Sequence, residues 1–97
     1  MTSAKSAATI DPRAPGACVQ AAAAAIAAGD ISLAVEQVRR AIDFGCSIGA
    51  SRFDATRTAL AETEVRLRLR LDDKDERTDA LIYSAVDFLR REFPVLN

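Results

Sequence analysis

The residues with the most obvious capacity for chemistry are an acidic run, two cysteines and a group of arginines. The acidic run, DDKDER at 72–77, has the carboxylates of a calcium loop. An EF-hand loop counted from Asp73 requires glycine at its sixth position and a bidentate acid at its twelfth, where this chain has Thr78 and Ser84. We therefore interpret the run as the start of a helix, where negative charge is favoured by the helix dipole.

The sequence offers few groups for catalysis or metal binding. It contains no histidine, which removes the commonest general base and a principal metal ligand. Cys18 and Cys46 do not complete a zinc tetrad, and no glycine-rich phosphate loop is present. We expect a protein that is not an enzyme and uses no cofactor or metal, with both cysteines as free thiols. A carboxylate-based activity stays open at this point.

Three arginines, Arg66, Arg68 and Arg70, form a candidate basic patch. The interpretation we favour is a solvated face with paired charges, because glutamates lie four residues before two of these arginines, the favoured orientation for helical ion pairs. The formal net charge of −1 gives the chain no overall attraction for nucleic acid, so nucleic acid is disfavoured as a partner. A small dimeric DNA-binding regulator that uses the arginines at 66–70 is the alternative.

These arginines belong to VRLRLRL, residues 65–71, whose strict alternation is also typical of a half-buried strand. We predict a helix, because residues 59–64 are rich in helix formers and no other stretch alternates. A strand here would have no partner in its own chain. The strand interpretation holds only if two chains pair here, as in ribbon–helix–helix DNA binders. Those proteins need two helices after the strand, and this chain offers one.

The spacing of apolar residues predicts an all-α domain. Gly29 and Gly45 are the expected stops of the first two helices. Asp30, Ser51 and Asp73 are the expected N-caps of the second, third and fourth. The helices are expected at about 17–28, 31–44, 51–71 and 74–93. We predict a short helix hairpin (about 17–44) packed on a long antiparallel hairpin (about 51–93), like a four-helix bundle. Residues 1–14 are expected to form a flexible tail, and residues 15–97 a single domain.

The stretch GDISLAVEQVRRAIDF at 29–44 resembles the second half of a tetratricopeptide repeat, with Gly-Asp at the turn and Ala34 and Ala41 seven residues apart. The preceding helix has alanine at 21–25 where the repeat has large residues, and no second copy follows. Since repeat folds require several stacked units, we interpret the resemblance as a shared helix-hairpin pattern.

The third predicted helix carries two apolar stripes. One contains Phe53, Leu60, Leu67 and Leu71, and the second contains Ala61, Val65 and Leu69. Packing against one neighbouring helix needs only one stripe, so we predict that the second stripe contacts another chain. The expected partner is a second copy in a two-fold homodimer, and an unidentified protein is the alternative.

The expected role is a non-enzymatic protein–protein interaction module: an adaptor, small chaperone or regulatory subunit. We expect it in a bacterial cytoplasm, because basic residues are nearly all arginine, alanine is abundant and no signal peptide is recognisable. No membrane association is expected either. The longest apolar run, residues 21–28, is much shorter than the roughly 20 residues that cross a bilayer.

Overall fold

The computed structural model describes residues 15–71 and 75–94, and this part of the chain forms four helices and no strand. The all-α class is therefore confirmed, and VRLRLRL is helical. The predicted tail, residues 1–14, lies outside the described residues. The helices are α1 (Pro15–Ala27), α2 (Ile31–Ser47), α3 (Arg52–Leu71) and α4 (Glu76–Glu92).

A tight turn joins α1 to α2. Gly29 has φ +84°, a conformation that glycine adopts without steric cost. Its N–H donates to the Ile26 carbonyl at 3.0 Å, and the Asp30 N–H donates to the Ala25 carbonyl at 2.8 Å, which is the Schellman pattern for ending a helix. The Asp30 side chain then accepts the Leu33 N–H at 3.1 Å and caps α2. The predicted stop and cap are both present.

The second helix ends later than predicted, and the prediction that Gly45 stops it is wrong. The Schellman turn instead uses Gly49, at φ +111°, with the Ala50 N–H donating to the Gly45 carbonyl at 3.0 Å. Gly45 lies inside α2, where α3 approaches closely: a Cβ at this position would be 3.1 Å from the Ala55 Cβ. The 17 residues of α2 span about 25 Å, so the first hairpin is less short than predicted.

The core lies between α1, α2 and α3, and α4 packs along α3 with a smaller contact to α2. Alanines on the buried face of α1 allow the neighbouring helices to approach closely, while larger side chains on the other helices fill the interior. The largest fully buried apolar side chains are Ile42, Leu67, Ile82, Leu89 and Val38.

The last two helices have side-chain caps at their N-termini. Ser51 Oγ accepts the Asp54 N–H at 3.0 Å, as its spacing predicted. For α4, Asp75 Oδ1 accepts the Thr78 N–H at 2.7 Å, so this helix begins at Glu76 rather than at residue 74. The predicted cap, Asp73, lies outside the described residues.

The cap of α4 makes its stability depend on pH. The Thr78 N–H, and then the Thr78 hydroxyl, lower the pKa of Asp75 below its ordinary 3.8. Because the folded-state pKa is depressed, the stabilisation is present above about pH 4 and is lost as the pH falls through the folded value. We expect wild type to melt at a higher temperature than Asp75→Asn at pH 7, with the difference narrowing as the pH falls below the folded-state pKa of Asp75. Thermal melts followed by circular dichroism measure it. A difference that is independent of pH would contradict this role for the carboxylate.

Candidate protein interaction surface

The leucines of VRLRLRL lie on opposite sides of α3. Leu67 is 0% exposed and contributes to the core, whereas Val65 is 56% and Leu69 is 77% exposed. Successive residues are 100° apart around a helix. Val65 is two residues from each of the buried Thr63 and Leu67, so it lies almost opposite both of them. The structure therefore places the predicted second stripe on the side of α3 that faces away from the core.

We call Ala61, Val65 and Leu69 the outer face of α3. All three residues are exposed, and neither large side chain belongs to the hydrophobic core of the described residues. They follow one another at intervals of four, so they form a continuous line along the helix surface.

On one side, the outer face is bordered by Glu62 and Arg66. The two side chains form an ion pair, with Arg66 Nε 3.8 Å from Glu62 Oε1. Arg66 Nη1 also donates to Gln20 Oε1 of α1 at 3.1 Å, which places this pair on the α1 side of the outer face. The buried Nε has no hydrogen-bond partner among the described residues, because 3.8 Å is too long for a hydrogen bond.

On the other side, the outer face is bordered by Glu64 and Arg68. Arg68 Nη2 lies 3.1 Å from Glu64 Oε2, and its Nη1 lies 2.9 Å from Asp79 Oδ1 of α4. Arg90 of α4 approaches the same glutamate at 3.9 Å. This pair therefore marks the α4 side of the outer face.

The candidate basic patch is largely compensated by these contacts. Arg66 and Arg68 are each held by a carboxylate and by a second polar group, and both are half-buried. Arg70 is exposed and makes no ion pair to the part of the chain that the structure describes. The three arginines share one stretch of helix, but two of them serve contacts within the fold.

A second exposed apolar surface, which the sequence analysis did not single out, lies between α4 and the α1–α2 turn. It is a groove of about 320 Å³. Its lining includes Ile26, Ile31, Leu81, Ala85 and Phe88. Leu81 and Phe88 are seven residues apart on α4, a spacing that indicates one helix face. What the sequence does not reveal is the contribution of the α1–α2 turn.

A cleft among α1, α2 and α3 offers little for acid–base chemistry. It measures about 420 Å³ and is lined mainly by small apolar residues, including Val19, Ala41 and Ala59. Its two carboxylates, Asp54 and Glu62, already pair with arginines on α3 at 3.7 and 3.8 Å.

Cys18 and Cys46 form no disulfide bond with each other in the structure, and Cys18 is buried while Cys46 is half-buried against the core. Among the described residues, no three His, Cys, Asp or Glu side chains lie together as a metal site requires. Within the same residues, no helix combines the length and the apolar character needed to cross a membrane. Comparison of the chain with protein-family models, curated proteins and solved structures finds no match.

Proposed function

We propose that this chain is a non-enzymatic interaction module of a bacterial cytoplasm, acting as an adaptor, small chaperone or regulatory subunit. It would bind a polypeptide through the outer face of α3. The observation that carries the proposal is the exposure of Val65 and Leu69, at 56% and 77%, side by side on a helix that has a complete buried face of its own. Complete burial of an exposed leucine contributes about 1.5–3 kcal/mol, so a partner that covers this face gains a substantial driving force.

The first partner to consider is a second copy of the chain. Most soluble oligomers are symmetric homo-oligomers, and two-fold dimers are the commonest. A stripe that contacts itself across a two-fold axis needs no other protein. An unidentified protein partner is the other possibility within this proposal.

The DNA-binding alternative draws less support from the contacts. A phosphate-binding patch needs arginines whose charge is available to the nucleic acid, and Arg66 and Arg68 already contact carboxylates within the fold. Arg70 is the remaining exposed cation of the three. Duplex binding that weakens steeply with added salt would favour this alternative.

The test of the proposed interface is Leu69→Glu. We expect wild type to be a dimer in light scattering at micromolar concentrations and the variant to be a monomer, because a charge in a buried apolar contact is very costly. Helix content by circular dichroism should be unchanged, since Leu69 is 77% exposed within its own chain.

The matched control is Tyr83→Glu, which introduces the same charge at a 68% exposed position of α4. We expect this variant to remain dimeric. A wild type that is monomeric at high micromolar concentration would contradict the homodimer, and a Leu69→Glu variant that unfolds would show that the side chain supports the monomer.

A further inference from the structure

The order of charges beside the outer face is the same on both sides. On the α1 side, Glu62 precedes Arg66 by four residues, and on the α4 side, Glu64 precedes Arg68 by four. Each side therefore presents a negative charge toward the N-terminus of α3 and a positive charge toward its C-terminus. This order restricts how a second copy of α3 can lie against the first.

In a parallel two-fold pair, the α1 side of one helix meets the α4 side of the other at the same height. Glu62 would then lie about two residues from Glu64 of the second copy, and Arg66 about two residues from Arg68 of the second copy. Two residues correspond to about 3 Å along a helix. Glu64 of the second copy also lies about 3 Å in height from Arg66. Each side would thus have two like-charge neighbours and one opposite-charge neighbour, which is an unfavourable balance.

In an antiparallel two-fold pair, the axis is perpendicular to both helices and to the line joining them. Each side then meets the same side of the second copy with its direction reversed. With the axis at Val65, Glu62 lies about 3 Å in height from Arg66 of the second copy. Glu64 stands in the same relation to Arg68 of the second copy. At the same offset, the two copies of Arg66 are neighbours on the α1 side and the two copies of Glu64 are neighbours on the α4 side. Each side therefore has two opposite-charge neighbours and one like-charge neighbour, which is the more favourable balance.

The same arrangement fits the apolar residues. Leu69 lies four residues after Val65 and Ala61 lies four residues before it, so an axis at Val65 sets each leucine against an alanine of the second copy. A large side chain against a small one allows two helices to pack closely. The parallel arrangement would instead set leucine against leucine at one end and alanine against alanine at the other.

We propose that the partner of the outer face is a second copy docked antiparallel about Val65, with Glu62 paired to Arg66 of the second copy. This inference rests on the proposed interaction function and adds the partner's orientation. Glu62 is well placed for the contact, because its carboxylate side chain is 52% exposed and its pair within the chain is long, at 3.8 Å.

The test uses two charge variants, Glu62→Lys and Arg66→Glu, which make the α1 side wholly basic or wholly acidic. Alone, each should dimerise about tenfold more weakly than wild type, because two symmetry-related contacts become repulsive. An equimolar mixture should form a heterodimer with an affinity within about threefold of the wild-type dimer. In a parallel pair, positions 62 and 66 face the unchanged α4 side of the second copy. Mixing the two variants would then not raise the dimer affinity above that of the separate variants.

The control is the exposed pair Glu36 and Arg40 on α2, which has the same spacing and a length of 2.9 Å. Glu36→Lys and Arg40→Glu should leave the dimer affinity unchanged, alone or mixed. Analytical ultracentrifugation gives the affinities, and thermal melts show whether Arg66→Glu stays folded after losing its contact with Gln20.

A second measurement does not depend on the charge variants. Ala61→Cys and Leu69→Cys, each combined with Cys46→Ser, are treated with a short bismaleimide. In the antiparallel pair, cross-linked dimers form when the two proteins are mixed and not from either alone. Self-linking of each separate protein would overturn the orientation while leaving the interface intact. A monomeric wild type would overturn both the homodimer and its antiparallel orientation. Loss of the dimer in Leu69→Glu tests the interface without depending on the orientation.

Discussion

Replacement of Leu67 by alanine should lower the free energy of unfolding by about 2–5 kcal/mol. Leu67 is fully buried in the core, so the substitution removes apolar contact and leaves a cavity that the surrounding helices can fill only in part. Small domains have a total stability of about 5–15 kcal/mol, which makes this loss a large share of the whole. Urea denaturation followed by circular dichroism measures it.

The matched control lies two residues further along the same helix. Leu69→Ala should change the free energy of unfolding of the monomer by less than about 0.5 kcal/mol, when measured at concentrations where no dimer is present. In a strand, residues 67 and 69 would point to the same face and the two substitutions would have similar effects. Equal losses would therefore contradict the helical arrangement of VRLRLRL.

The helical state of this stretch was predictable because it depends on neighbours in sequence. Glu62 and Glu64 stand four residues before arginines, and both pairs form. The same reasoning located the Gly29 stop and the Asp30 and Ser51 caps. It also identified the outer face of α3, since a helix with two separated apolar stripes has more apolar surface than one neighbour covers.

Two helix ends were not predictable from local signals alone. Gly45 and Gly49 are equally good stops in the sequence. In the structure Gly45 lies inside α2, where Ala55 of α3 approaches closely, and this contact between two helices is not visible in the local sequence. In the acidic run before α4, several aspartates can accept a backbone N–H, so spacing alone does not select Asp75.

Contacts across the fold explain what else the sequence analysis missed. The sequence pairs Arg66 and Arg68 with glutamates on their own helix. It gives no sign that Arg66 also reaches Gln20, 46 residues away, or that Arg68 reaches Asp79 on α4. Likewise, the groove on α4 becomes visible only when Ile26 and Ile31 are placed beside Leu81 and Phe88.

The contact between Gly45 and Ala55 leads to the second large effect. Gly45→Leu should lower the free energy of unfolding by about 1–3 kcal/mol or more, even though leucine is the better helix former. A Cβ at position 45 already lies 3.1 Å from the Ala55 Cβ, and that neighbour is rigidly attached to the α3 backbone. A larger side chain must therefore push α2 and α3 apart.

The control is Gly16→Leu in the first turn of α1, where an added Cβ meets nothing within 4 Å, so we expect little loss. A double-mutant cycle isolates the contact itself: Gly45→Ala should be more favourable, by about 0.5–3 kcal/mol, in an Ala55→Gly background than in wild type. The gain in helix propensity from glycine to alanine is the same in both backgrounds. A difference between the two effects of Gly45→Ala therefore comes from relief of the Cβ–Cβ contact. Additive effects in the cycle would mean that α2 and α3 have room to separate at this point, and Gly45 would then have no role in setting their spacing.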